Sequence, residues 1–270
     1  MKKQLRDRII SATVFLLVFL LGMVNKWLFL AVFSVFIVVM LYEFINFAKL
    51  RGYQPLISAV YLLGLLTFVE FFFIAQAKAD LNIILIIIGG IFLVFVTELF
   101  RNTQTPLENI AFTILAIVYI ALPFSLLNFV VFPPQANFKF DFRPLLAFYF
   151  IIWLTDIGAY FVGSLAGKHP LFKRFSPKKT VEGFIGGSIA AYLTAFLIAY
   201  LFKFFSFTDA FWFATIVVIF GTIGDLVESM FKRSVDLKDS GNIMPGHGGL
   251  LDRFDSSLLS IPFIVLYLYV

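Results

Sequence analysis

Apolar residues fall in blocks of about 20 along nearly the whole chain, broken by short polar punctuation. A bilayer-spanning helix needs about that length of mostly apolar residues. The pattern predicts spans at residues 8–24, 27–48, 55–75, 81–100, 108–132, 144–164, 183–204, 208–227 and 256–270. That makes about nine transmembrane helices, the last of them short. Arg51-Gly52, Pro106, Pro133-Pro134, Lys168-His169-Pro170 and Ser176-Pro177 supply the turns between them. The expected fold is therefore an all-α polytopic membrane protein.

Composition agrees. Of 270 residues, 61% are hydrophobic and only 14% charged, against about 25% charged in soluble domains. Cysteine is absent, which excludes disulfides, thiolate catalysis and Cys-ligated zinc. The net charge of +5 would suit nucleic acid in a soluble protein. In a membrane protein it reflects cytoplasmic loops and anionic head groups, so no nucleic-acid partner is expected. The N-terminal run resembles a signal peptide, but Asn25, Lys26 and Trp27 follow it in place of a small-residue cleavage site. It reads as an uncleaved first span.

The distribution of cations orients the spans. Sixteen of the 21 Lys and Arg fall at the N-terminus and in every second loop, and five fall in the other loops. This bias predicts a cytoplasmic N-terminus and an external C-terminus. The two most charged loops, between spans six and seven and between spans eight and nine, then both face the cytoplasm. The first five spans (residues 1–140) carry little chemistry, whereas residues 141–270 carry nearly all of it. The chain thus reads as an N-terminal membrane region followed by a C-terminal catalytic one.

Three segments hold the candidate chemistry. The richest is SMFKRSVDLKDSGNIMPGHGGLLDRFD, residues 229–255, which gathers Lys232, Arg233, Lys238, Asp239, His247, Asp252, Arg253 and Asp255 between two apolar blocks. Asp225 precedes it near the end of span eight. Asp252 and Asp255, three apart, share one helical face. Carboxylates converging from two helices make an oxygen site for a hard cation such as Mg²⁺. Gly246, Gly248 and Gly249 allow close approach and positive φ around His247. Lysines and arginines alone would fit a solvated basic loop, but the added carboxylates and the PGHGG turn do not. The second segment, SPKKTVEGFIGG, opens span seven with Ser176, Lys178, Lys179, Thr180 and Glu182. Thr180 is a plausible N-cap, and a capped helix start with two lysines suits phosphate. An ordinary basic helix start, its glycines serving only helix packing, is the other reading. The third segment, TDIGAYFVGSLAGK, places Asp156 inside span six with Tyr160 one turn on. It is either a cavity wall or a hydrogen-bonded structural carboxylate. Glu43 and Glu98 read as interfacial anchors, His169 as a loop residue, and Glu70 has no assigned role.

The run S-x-F-K-R-x4-K-D-x-G-x2-M-P-G-H-G-G-L-x-D-R-F-D resembles the signature of the phosphatidate cytidylyltransferase (CDP-diacylglycerol synthase) family, bacterial type. The SPKKT and TDxxAY segments are similar to that family's and occur in the expected order. Met244 stands where the pattern expects Leu, Ile or Phe, an apolar departure that changes nothing important. The first half matches only as membrane helices.

The resemblance implies transfer of a cytidylyl group from CTP to phosphatidic acid, giving CDP-diacylglycerol and pyrophosphate. It implies Mg²⁺ and leaves open a second divalent or monovalent cation. It also implies a homodimer in the bacterial cytoplasmic membrane, with a polar cavity on the cytoplasmic face of the C-terminal half. Under it, Asp225, Asp252 and Asp255 hold metal, and His247, Lys232, Arg233 and Arg253 act on phosphate. Ser176, Lys178, Lys179, Thr180, Glu182, Lys238, Asp239, Asp156, Tyr160, Gly248 and Gly249 line the substrates. Two other readings stay open. One is a CTP-dependent lipid-alcohol kinase, releasing CDP. The other is an ion-coupled transporter, for which intramembrane Asp156 and Asp225 are compatible but one-sided charge and lack of repeats are not.

Overall fold

The computed structural model describes residues 2–80, 82, 84–202 and 206–270. Leu81, Ile83, Lys203 and Phe204, which entered the predicted spans or the charge count, lie outside the described residues. Helices α1 (Lys2–Leu21), α2 (Lys26–Leu50), α3 (Ile57–Ile74) and α4 (Ile84–Leu99) come first. The predicted fifth span is α5 (Pro106–Ala116), a π-helical turn (Ile117–Ala121), α6 (Leu122–Ser125) and α7 (Leu127–Val131). Pro123 explains part of this fragmentation, because it has no N–H to donate to the preceding turn. Next come α8 (Arg143–Ala166), a hairpin of β1 (Pro170–Phe172) and β2 (Ser176–Thr180), and α9 (Val181–Phe202). Last are α10 (Phe207–Ile216), a second π-helical turn (Val217–Gly221), α11 (Thr222–Ser234) and α12 (Leu251–Tyr269).

By length and composition, six stretches of described helix can cross a membrane: Lys26–Leu50, Ile57–Ile74, Pro106–Ala136, Arg143–Ala166, Val181–Phe202 and Phe207–Ser234. Ile84–Leu99 is apolar but shorter. Among the described residues the one sheet is the β1–β2 pair, antiparallel with Phe172 opposite Ser176. The chain is an all-α integral membrane protein. The small hairpin was not foreseen, because SPKKT is polar and has no strand alternation.

Contacts divide the chain into two compact units. One comprises Met1–Phe142 with Val235–Phe254, and the other Arg143–Ser234 with Asp255–Val270. The charged segment 235–254 therefore clusters with the N-terminal helices, not with the neighbouring α11.

The core of the first unit is aromatic. Phe29 and Phe33 stack at 4.4 Å between centroids, and Phe124 packs on Phe33 at 5.7 Å and on Phe254 at 5.2 Å. Asn25 starts α2 by accepting from the N–H groups of Trp27 and Leu28 at 2.9 and 3.0 Å, an N-cap that satisfies two of the orphan donors.

In the second unit, α8 and α9 pack through glycines. A Cβ on Gly187 would lie 2.9 Å from the Thr155 carbonyl, and one on Gly183 would lie 2.8 Å from the Ala159 carbonyl. Only glycine permits that backbone approach. At the other end, Ser206 and Asp209 form a reciprocal capping box that starts α10.

Candidate functional site

The second unit contains a cavity of about 460 Å³. Its wall includes Asp156 and Tyr160 from α8, Lys178, Lys179 and Thr180 from the hairpin, Gly183 and Gly187 from α9, and Asp225 from α11. Val217, Val218 and Gly221 of the second π-helical turn complete one side. Such turns widen a helix and often sit at functional sites.

Thr180 caps α9 as the spacing predicts, its Oγ1 accepting from the Gly183 N–H at 3.1 Å. Glu182, in the first turn, folds back on the hairpin. Its carboxylate accepts from the Lys168 and His169 N–H groups at 3.1 and 3.2 Å and lies 2.6 Å from His169 Nδ1. His169 is thus tied to the hairpin base. Asp156 and Tyr160 both face the cavity, one turn apart, and Ser176 pairs within the hairpin.

Beside the cavity, Asp225, Glu228 and Asp255 each offer a carboxylate oxygen, all within 4.8 Å of one another. Asp225 and Glu228 are one turn apart on α11, and Asp255 comes from α12. The approach is set by Gly224, where a Cβ would lie 2.6 Å from the Asp255 carbonyl oxygen. Lys179 forms an ion pair with Asp225, and Lys232 Nζ donates to Glu228 Oε2 at 2.6 Å. Burial pushes the Lys179 ammonium below its ordinary range and neighbouring Lys232 adds to this, while Asp255, Asp156 and Glu228 oppose it. Three hard oxygen donors from two helices fit a divalent cation, which takes carboxylates plus phosphate oxygens.

Sequence reasoning grouped Asp252 with Asp225 and Asp255. In the structure the third member of the close group is Glu228, which is fully buried. The available signal was its i,i+3 spacing from Asp225. Arg233 lies exposed on the last turn of α11.

The charged loop of the first unit is built around two carboxylates. Glu43, 1% exposed on α2, accepts from the Leu250 and Leu251 N–H groups at 3.0 and 2.8 Å. Asp252 Oδ2 accepts from the N–H groups of Ser240 and Gly249 at 2.9 and 2.8 Å. Ser240 Oγ lies 3.1 Å from Glu43 and 3.0 Å from Asp252, so its single proton serves both. A Cβ on Gly249 would overlap Ser240 Oγ and reach within 2.6 Å of Glu43 Oε2. Glu43 is thus a buried anchor of the loop. Nothing in the sequence links it to a segment some 200 positions away.

Glu98 behaves similarly. It is buried, and its carboxylate accepts from Asn109, Thr103 and Arg101 at 2.8, 2.6 and 2.7 Å. Glu70 is buried in α3, and neither of its oxygens has a hydrogen-bond partner among the described residues.

The PGHGG segment is a tight turn. Met244, buried, donates its N–H to the Gly248 carbonyl at 3.0 Å and accepts the His247 N–H at 2.9 Å. Gly246 and Gly248 have φ of 76° and 84°, which side chains rarely adopt. Ahead of the turn, Lys238 and Asp239 are exposed. His247 Nδ1 lies 2.9 Å from Ser11 Oγ, and Arg253 Nη2 donates to the His247 carbonyl at 2.8 Å. Burial, then Arg253 and Arg8, hold the His247 imidazolium below its ordinary pKa.

Residues 6–270 match the cytidylyltransferase family. The phosphatidate cytidylyltransferase of Bacillus subtilis (strain 168) is 35% identical, over 98% of this chain and 96% of that protein. That of Staphylococcus saprophyticus is 34% identical, over 96% and 97%, and that of Staphylococcus haemolyticus is 32% identical, over 98% and 97%. With a match that runs through both units and relatives alike over almost their full length, the chain belongs to the cytidylyltransferase family.

Proposed function

We propose that this chain transfers the cytidylyl group of CTP to phosphatidic acid, giving CDP-diacylglycerol and pyrophosphate. The observation that carries the reading is the Asp225–Glu228–Asp255 cluster, with Asp225 and its partner Lys179 in the wall of the cavity, in a chain of this family. A phosphate monoester oxygen of the lipid attacks the α-phosphorus of CTP. The new P–O bond forms as the bond to the β-phosphate oxygen breaks, and pyrophosphate leaves with the electron pair. The attacking phosphate has its second pKa near 6, so it needs no strong general base. The obstacle is bringing two polyanions together.

Cationic side chains meet that obstacle. Lys178 and Lys179 face nucleotide phosphates, Lys232 holds Glu228 in register, and Arg233, Lys238 and Arg253 add positive field. Asp225, Glu228 and Asp255 would hold Mg²⁺, with Asp252 one helical turn before Asp255 as a further donor. When bound, the cation offsets charge on the reacting and leaving phosphates. Asp156, Tyr160, Ser176, Thr180 and Glu182 shape the cavity and hairpin. His247, Asp239, Gly248 and Gly249 shape the loop.

The same reading assigns about nine spans, a cytoplasmic N-terminus and an active site facing the cytoplasm of a bacterial cell. The support is the Lys/Arg bias of the loops. It also assigns a homodimer, with residues 1–140 as scaffold, dimer contact or lipid gate.

Product analysis tests it. Purified protein in mixed micelles receives phosphatidic acid, Mg²⁺ and CTP labelled at the α-phosphate. Label in a chloroform-soluble lipid, with pyrophosphate released and both lost on chelation, is the expected result. Label left in water-soluble CDP with a lipid-alcohol acceptor would replace this reading with a kinase. Ion flux in liposomes without CTP turnover would replace it with a transporter.

A further inference from the structure

One cluster remains outside this assignment, at the start of α1. Arg8, Ser11, Phe15 and Phe19 recur at helical spacing and form the inner face of that helix. Phe19 is fully buried, and Phe15 packs on Phe36 and Phe254, each at 5.9 Å between centroids. This packing seats Arg8 and Ser11 against the PGHGG turn. The Arg8 stem lies against Gly246, where a Cβ would come 3.3 Å from Arg8 Nε. Any side chain there would push the guanidinium away.

Ser11 orients the neighbouring imidazole. Its hydroxyl lies 3.0 Å from the Arg8 carbonyl, 3.0 Å from the Pro245 carbonyl and 2.9 Å from His247 Nδ1. The hydroxyl carries one proton for three acceptors; in the arrangement in which it goes to Nδ1, the ring's own proton sits on Nε2 and can donate to an oxyanion.

Around this ring stand two guanidinium groups. Arg253 holds the His247 carbonyl, and Arg8 sits over the turn. Neither pairs with a carboxylate among the described residues. Two uncompensated arginines beside an oriented histidine fit a tetrahedral oxyanion, which guanidinium groups recognise by charge-assisted hydrogen bonds. The opposite face of α1 presents Ile9, Ile10, Val14 and Leu17, all exposed. That face suits a phosphate carried on acyl chains.

We propose that Arg8, oriented on the PGHGG turn with His247 and Arg253, forms a phosphate-binding site within the first unit that takes a substrate phosphate. The site rests on the cytidylyltransferase reading for the identity of its ligand, either the phosphate monoester of phosphatidic acid or the phosphates of CTP. Ser11 is a positioning residue, acting through His247.

The test is steady-state kinetics of Arg8→Gln and Arg8→Lys against wild type, varying each substrate with the other saturating. Gln keeps the stem packed on Gly246 but removes the charge, and thermal melting confirms that both variants fold. Loss of one charge-assisted contact raises the affected KM by at least about tenfold. A rise confined to phosphatidic acid assigns the lipid phosphate, and a rise confined to CTP assigns the nucleotide. Both KM values and kcat within about twofold of wild type for Arg8→Gln would overturn the proposal. Ser11→Ala should shift the acidic limb of the pH–rate profile without raising KM as far. Binding of phosphatidic acid against phosphatidylcholine in nanodiscs is measured in parallel. If wild type made no CDP-diacylglycerol, the functional reading would fall, and Arg8-dependent phosphatidate binding would still support the site. Equal phosphatidate binding by wild type and Arg8→Gln in that case would overturn it.

Discussion

Replacing Glu43 should loosen the charged loop although Glu43 lies on the second helix. Its carboxylate accepts the N–H groups of Leu250 and Leu251 and the hydroxyl of Ser240, at 3.0, 2.8 and 3.1 Å. Leu250 and Leu251 are 5% and 0% exposed, so water does not readily replace the lost acceptor. Each buried donor left unsatisfied costs about 1–3 kcal/mol. Two together give roughly 2–6 kcal/mol for Glu43→Ala, before any loop relaxation. At about 2–4 °C per kcal/mol, the melting midpoint should fall by roughly 10 °C. Glu43→Gln keeps one oxygen but turns an NH₂ toward a second donor, so about half that loss is expected. Thermal unfolding in one fixed detergent reads both, and CDP-diacylglycerol formation is measured on the folded fraction. Ser240→Ala removes one hydroxyl shared between Glu43 and Asp252, leaves the two N–H contacts of Glu43 in place and should cost about 1 kcal/mol. The double variant should fall short of the sum, because the two residues share one network. A Glu43→Ala protein melting within about 1 °C of wild type, with unchanged turnover, would refute the anchor argument.

Four further outcomes follow from the geometry. Asp225→Asn, Glu228→Gln and Asp255→Asn should each lower turnover by about 100-fold or more and raise the Mg²⁺ needed for half-activity, measured by product formation across a metal titration. Asp252→Asn should abolish turnover while the protein stays folded, although it weakens a carboxylate that accepts from Ser240 and Gly249; near-wild-type activity would remove it from the metal assignment. Gly224→Ala puts a Cβ 2.6 Å from the Asp255 carbonyl, so α11 and α12 must part; activity should fall more than stability, read by turnover against melting midpoint. The His247 pKa lies below its ordinary 6.5 in the folded chain. As pH falls through about 6.5 the unfolded chain takes the proton first, so stability is full above that pH and declines below it; His247→Gln should flatten this slope in melts from pH 8 to 5.

Much of the fold was legible because a membrane span is a local property. Twenty apolar residues declare a helix whatever they pack against, since unpaired backbone groups are too costly in lipid. Local chemistry was equally readable. Thr180 stands where a cap is needed, Gly246 and Gly248 stand where φ is positive, and Asp156 and Tyr160 at i,i+4 share a wall. Other features required the tertiary structure, because they join residues far apart in the chain. The Glu43 side chain meets the Leu250 N–H across 207 positions, and Ser11 meets His247 across 236. Glu228, rather than Asp252, joins Asp225 and Asp255 because α11 and α12 approach at Gly224, where α11 has no side chain to hold the helices apart. The hairpin of SPKKT forms from pairing with Pro170–Phe172 and with Glu182 at its base, not from any strand pattern of its own. Periodicity and hydropathy report what a segment exposes to its solvent. Which carboxylate finishes beside which donor depends on helix approach distances, and those are settled only when the side chains pack.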